Sequence, residues 1–131
     1  MACPEQVEET MTEDMRTILI VDDDHVILDF LEDVLQRSYS EIRAGSGKEA
    51  VDAFRAHDQI DLILLDLAMP EMSGYEALAE FQIVEPDVKL IVIRAMDPEH
   101  EQLPGILGVL SKPFQADQIS TVVDDVLSAY P

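Results

Sequence analysis

Several apolar runs in this chain end in a residue that could do chemistry. Ile18-Leu19-Ile20-Val21 leads into Asp22-Asp23-Asp24, and Leu62-Ile63-Leu64-Leu65 leads into Asp66. Leu90-Ile91-Val92-Ile93 leads into Arg94, and a short run before Ser111 leads into Lys112. Carboxylates brought together repel, and some take up protons unless a cation intervenes. A set of hard oxygen donors without His or Cys suits Mg²⁺, which keeps several waters and engages phosphate groups. Phosphoryl transfer requires positioning and charge neutralisation more than covalent help. A metal on one side and Lys112 on the other would supply both. Asp24 reads as a helix N-cap rather than a ligand.

For these groups to meet, the runs must be parallel strands. Residues 17–21 form an apolar, β-branched strand of the kind buried on both faces. Val26, Ile27, Phe30, Leu31, Val34 and Leu35 follow at helical spacing. A short strand is expected over 41–44. Ser46-Gly47-Lys48-Glu49 is a capping-box pattern opening a helix to about 57. A third strand covers 61–65, and Ser73-Gly74-Tyr75-Glu76 is a second capping box opening a helix to about 83. The fourth strand is 88–93 and the fifth, short one is 107–110. The stretch 97–103, flanked by Pro98 and Pro104, has room for a turn or two of helix. A final amphipathic helix runs from 115 to about 129. Strands alternating with helices predict a parallel sheet with helices on both faces. In such sheets ligands bind at the carboxyl ends of the strands, where these acids and bases fall.

Composition narrows the function. With 28 acidic and 8 basic residues among 131, the net charge is −20. Such a field repels DNA, RNA and anionic lipid, so no direct nucleic-acid or membrane partner is expected. The single Cys, Cys3, excludes an intrachain disulfide. No apolar run approaches the roughly 20 residues needed to span a bilayer. Residues 1–15 read as an acidic, solvated leader without the apolar region of a signal peptide. A cytoplasmic protein is expected, with one domain over 16–131 and no output domain after Pro131.

The motifs ILIVDDD, LILLDLAMPEMSG and VLSKPF together resemble the receiver domain of two-component response regulators, over about residues 16–130. The resemblance implies a flavodoxin-like fold with strand order 2-1-3-4-5. It implies that Asp66 accepts a phosphoryl group from a phosphohistidine on a histidine kinase or histidine phosphotransfer protein. Asp22, Asp23, Asp66 and the backbone carbonyl of Ala68 would hold Mg²⁺, with Asp23 a direct ligand. Lys112 would pair with a phosphoryl oxygen, and the Lys112-Pro113 bond would be cis. Met69-Pro70 and Gly74 would shape the loop after Asp66. Output would pass by contact to a downstream protein, and the domain would be a signalling module, not an enzyme beyond its own aspartyl phosphorylation and dephosphorylation.

Three features depart from the family pattern. Arg94 stands where the family has a switch Thr or Ser, immediately before the small Ala95. Val109 stands where an aromatic is frequent. Lys112 follows Arg94 after about one helical turn fewer residues than usual, so the family's fourth helix is expected to be shortened or irregular. Two readings of Arg94 follow. Its stem lies on the sheet with the head in water, or its fork faces Asp66 or the phosphoryl group on it. The second also fits a pseudo-receiver that binds partners without phosphorylation. A third alternative is a Mg²⁺-dependent aspartyl phosphatase, because Asp22 to Val26 fits D-x-D-x-V. That reading leaves Asp66 unexplained, and Asp124-Asp125 sit inside the last helix pattern rather than at a strand end.

Overall fold

The computed structural model describes residues 16–57, 59–67, 74–94 and 106–129. Its elements are β1 (Thr17–Val21), α1 (His25–Leu35), β2 (Ser40–Ala44), α2 (Gly47–Ala56), β3 (Leu62–Asp66), α3 (Gly74–Val84), β4 (Leu90–Arg94), β5 (Ile106–Ser111) and α4 (Ala116–Ala129). The five strands form one sheet in the order β2-β1-β3-β4-β5, parallel at every pairing. The parallel sheet is the one that the alternation of strands and helices predicts, and its order is that of the flavodoxin-like fold implied by the resemblance.

The central strands are apolar throughout because both faces are covered. Leu19, Val21, Ile63, Leu65, Leu90 and Val92 face one helical layer, with Ala50, Phe54, Ala77 and Phe81 of α2 and α3. Ile18, Ile20, Leu62, Leu64, Ile91 and Ile93 face the other, with Leu28, Leu31, Ile119 and Val123 of α1 and α4. Each fully buried Leu or Ile contributes roughly 2 kcal/mol. This two-sided burial fixes the register, since a one-residue slip would turn every apolar side chain to the wrong layer. The strand ends, and the polar residues on them, are held by that register.

Local signals set the helix starts. The Asp24 carboxylate accepts from the Val26 N–H and caps α1. The Ser46 hydroxyl accepts from the Glu49 N–H and caps α2. The reciprocal arm of this box reaches one residue further back than the standard pattern: the Glu49 carboxylate accepts from the Gly45 N–H. Strand boundaries moved by one or two residues from the sequence expectation, with β5 running to Ser111 and β4 ending on Arg94. Several expectations fall outside the described residues. They are the 1–15 leader, the Ser73 capping box, the Met69-Pro70 loop, the Ala68 carbonyl, and the short helical stretch within 95–105.

Candidate phosphoryl-transfer site

Four of the expected side chains converge at the carboxyl edge of the sheet. Asp22 follows β1 and is fully buried, and Asp66 ends β3 and is 2% exposed. Asp23 is exposed beside them. Oxygens of Asp22, Asp23 and Asp66 all lie within 4.8 Å of one another. The Lys112 Nζ stands 3.3 Å from Asp22 Oδ2 and 3.4 Å from Asp66 Oδ2.

Backbone geometry holds each group. Asp66 is in register with Ile93 of β4, so its position is set by a fully buried strand pair. The Leu67 N–H donates to the Ile93 carbonyl at 3.0 Å and carries that pairing one residue past Asp66. The Asp24 N–H donates to Asp22 Oδ1 at 2.9 Å. Asp24 therefore caps α1 with its side chain and orients Asp22 with its amide. The sequence showed only the capping role; the Asp-Asp-Asp run was the available signal for the second. Lys112 donates its backbone N–H to the Arg94 carbonyl at 2.8 Å. Its loop is closed by a cis Lys112-Pro113 bond, and the Phe114 ring stacks on Phe30 of α1 at 6.2 Å.

The electrostatics are unbalanced. Burial pushes the Asp22 carboxyl up to about 6; the nearby Asp66 carboxylate adds to the rise, while the Asp24 amide and Lys112 oppose it. Burial alone would lower the Lys112 pKa, but Asp22 and Asp66 together raise it, so it stays charged. Asp22 Oδ2 is buried and accepts no hydrogen bond; its contact with Lys112 is ionic only. One ammonium thus faces more than one carboxylate, and a buried oxygen is left without a hydrogen bond. Such a set suits a hard divalent cation with an oxygen shell.

Arg94 ends β4 in register with Ser111 of β5, and its side chain is partly buried. Strand alternation assigns position 94 to the same face as Leu90 and Val92, whereas Ile93, the partner of Asp66, belongs to the other. Val109 lies on β5 and is 46% exposed. Among the described residues no helix is long and apolar enough to cross a membrane.

Residues 18–124 match the family model of the response regulator receiver domain. The chain is 31% identical over 117 residues to the chemotaxis protein CheY of Bacillus subtilis, covering 85% of this chain and 97% of that one. It is 32% identical over 115 residues to the sensor kinase CckA of Brucella abortus, a match to 84% of this chain and 12% of the kinase. The response regulator protein TrrA of Thermotoga maritima, solved in complex with Mg²⁺-BeF, superposes with a TM-score of 0.77 at 30% identity, covering 86% of this chain and 99% of that one. The chain therefore belongs to the response regulator receiver domain family, the signalling receiver of two-component systems, and carries an acidic Asp pocket at the carboxyl ends of its strands.

Proposed function

We propose that the chain is a phosphoacceptor: Asp66 takes a phosphoryl group from a phosphohistidine on a histidine kinase or phosphotransfer protein. The observation that carries this reading is the convergence of Asp22, Asp23 and Asp66 within 4.8 Å, with Lys112 3.3 and 3.4 Å from two of them. An Asp66 carboxylate oxygen attacks the phosphorus as the N–P bond of the donor breaks. The imidazole leaves with that electron pair and takes up a proton. Lys112 balances negative charge on the transferred group and keeps Asp66 in place. Asp22 and Asp23, with Asp66, would hold Mg²⁺, and the Ala68 carbonyl would complete the protein's share of the ligands. When bound, the cation neutralises charge as the phosphoryl group approaches a site already rich in carboxylates. The unsatisfied Asp22 Oδ2 and the all-oxygen donor set fit such an ion. The Mg²⁺-BeF complex of TrrA supports the same assignment here by similarity.

Signalling then passes to a downstream protein by contact. Arg94 in place of a switch hydroxyl points to an output coupling unlike the family's usual one. Incubation with Mg²⁺ and a small phosphodonor such as acetyl phosphate, followed by intact mass, tests the reading. One added phosphoryl group that requires Mg²⁺ and disappears in Asp66→Asn is expected. No adduct, or one that survives Asp66→Asn, overturns it.

A further inference from the structure

We propose that Phe30 of α1 is a positioning residue for Lys112: its ring, through that of Phe114, sets where the ammonium stands over Asp22 and Asp66. The transfer step in this proposal rests on the phosphoacceptor reading; the placement of Lys112 does not.

Distances show why Lys112 needs such support. Its ammonium lies 3.3 Å from Asp22 Oδ2 and 3.4 Å from Asp66 Oδ2. A well-made bond between an ammonium and a carboxylate measures roughly 2.7–2.9 Å. Neither contact is tight enough to fix a flexible four-carbon stem. The ammonium therefore stands where the main chain of residue 112 puts it.

That main chain has an anchor on each side. On one, the Lys112 N–H donates to the Arg94 carbonyl at 2.8 Å. On the other, Pro113 has no N–H to give, and both Pro113 and Gln115 are exposed. Phe114 is partly buried between them and packs, with Phe30, against the cluster shared by α1 and α4. The two rings stack at 6.2 Å with an interplanar angle of 15°. Stacked aromatic pairs at such separations gain beyond the area they bury.

α1 gives the Phe30 ring a firm base. Leu28 and Leu31 on either side of it are buried, and Arg43 of β2 pairs with Asp29 and Glu32 at 2.8 and 2.7 Å. The helix is capped by Asp24, whose amide donates to Asp22 Oδ1. One helix thus orients an acid on one side of the pocket and, through two rings, the base on the other.

Charge gives this role a signature. An ammonium against the carboxylates competes with a divalent cation for them. Loosening Lys112 therefore strengthens Mg²⁺ binding while it slows phosphoryl transfer, which depends on placement to within about 1 Å. A substitution that only softened the fold would weaken both.

The test compares the full chain with Phe30→Ala, Phe30→Tyr, Lys112→Ala and the Phe30→Ala, Lys112→Ala double variant. Isothermal titration reads Mg²⁺ affinity, and intact mass against time reads the adduct formed from acetyl phosphate, with circular dichroism checking the fold. Phe30→Ala is expected to bind Mg²⁺ about threefold more tightly and to form adduct at least about tenfold more slowly. Phe30→Tyr, which keeps the ring, should match the parent in both. Without Lys112, Phe30→Ala should change neither quantity, because its effect runs through that residue. Phe30→Leu, which removes the stack but fills most of the space, carries the same expectation should Phe30→Ala fail to fold. Mg²⁺ binding unchanged or weakened in these variants, a defect that Phe30→Tyr shares, or a further effect of Phe30→Ala in the absence of Lys112 would each overturn the proposal. A parent that forms no adduct while the Mg²⁺ pattern holds would count against the phosphoacceptor reading and leave Lys112 positioned as proposed.

Discussion

Lys112 donates its backbone N–H to the carbonyl of Arg94 at 2.8 Å, while its ammonium lies against Asp22 and Asp66. The bond uses the main chain of residue 94 and not its side chain. Whatever stands at 94, the end of β4 can hold Lys112 over the acidic pocket.

Arg94→Thr should therefore leave the pocket assembled. Its Mg²⁺ affinity is expected to stay within about twofold of the parent, well under 1 kcal/mol. Isothermal titration checks this. Mg²⁺ binding that is absent in the parent and restored by Arg94→Thr would support the pseudo-receiver reading in its place.

Asp22 is buried with an oxygen that accepts no hydrogen bond, and burial raises its pKa to about 6. The folded state is thus penalised for ionising it. This group's contribution to stability is present below its ordinary value of 3.8 and is lost as the pH rises through about 6. Asp22→Asn removes the penalty. Without metal, the variant should gain on the order of 1 kcal/mol above that pH, less below it, and lose Mg²⁺ binding. Urea unfolding with a chelator present measures the first effect, and destabilisation at neutral pH would count against this account of the pocket.

How much of this was legible in the sequence depended on how local each cause was. Asp22 and Asp66 were visible because each closes a run of apolar residues, and two-sided burial in parallel strands leaves few alternatives for such runs; Lys112, after Ser111 on a half-exposed strand, stood out through the VLSKPF motif. The capping roles of Asp24 and Ser46 were visible because a cap acts within three residues. The hydrogen bond from Lys112 to Arg94 was not, because it depends on β4 and β5 being neighbours in register. Position 94 was singled out as unusual, but only the pleat of β4 assigns it to the face opposite Ile93.

Tyr39 donates its hydroxyl to Asp124 of α4. Burial, and then this bond, push its pKa up to about 12 from 10.0. The stability it contributes is complete below the ordinary value and is lost as the pH rises between about 10 and 12. Tyr39→Phe should be less stable than the parent at neutral pH, and the gap should close over that window. Parallel unfolding curves across it make the comparison; a gap independent of pH would contradict the assignment.

Gly108 lies where a Cβ would stand 3.0 Å from Val122 Cγ1 and 3.4 Å from Ile91 Cγ1. Gly108→Ala should therefore crowd α4 against β5. A loss of about 1 kcal/mol is expected, with a larger loss for Gly108→Val. Thermal unfolding checks the order, and a stabilised Gly108→Val would show that α4 shifts freely.

The central claim is that Asp66 carries the phosphoryl group, and the most direct measurement locates it on the chain. After incubation with Mg²⁺ and acetyl phosphate, borohydride converts an aspartyl phosphate to homoserine, and peptide mass spectrometry reads the position. The account predicts homoserine at residue 66 and at no other aspartate. Homoserine at Asp22 or Asp23, or at no residue, would contradict it.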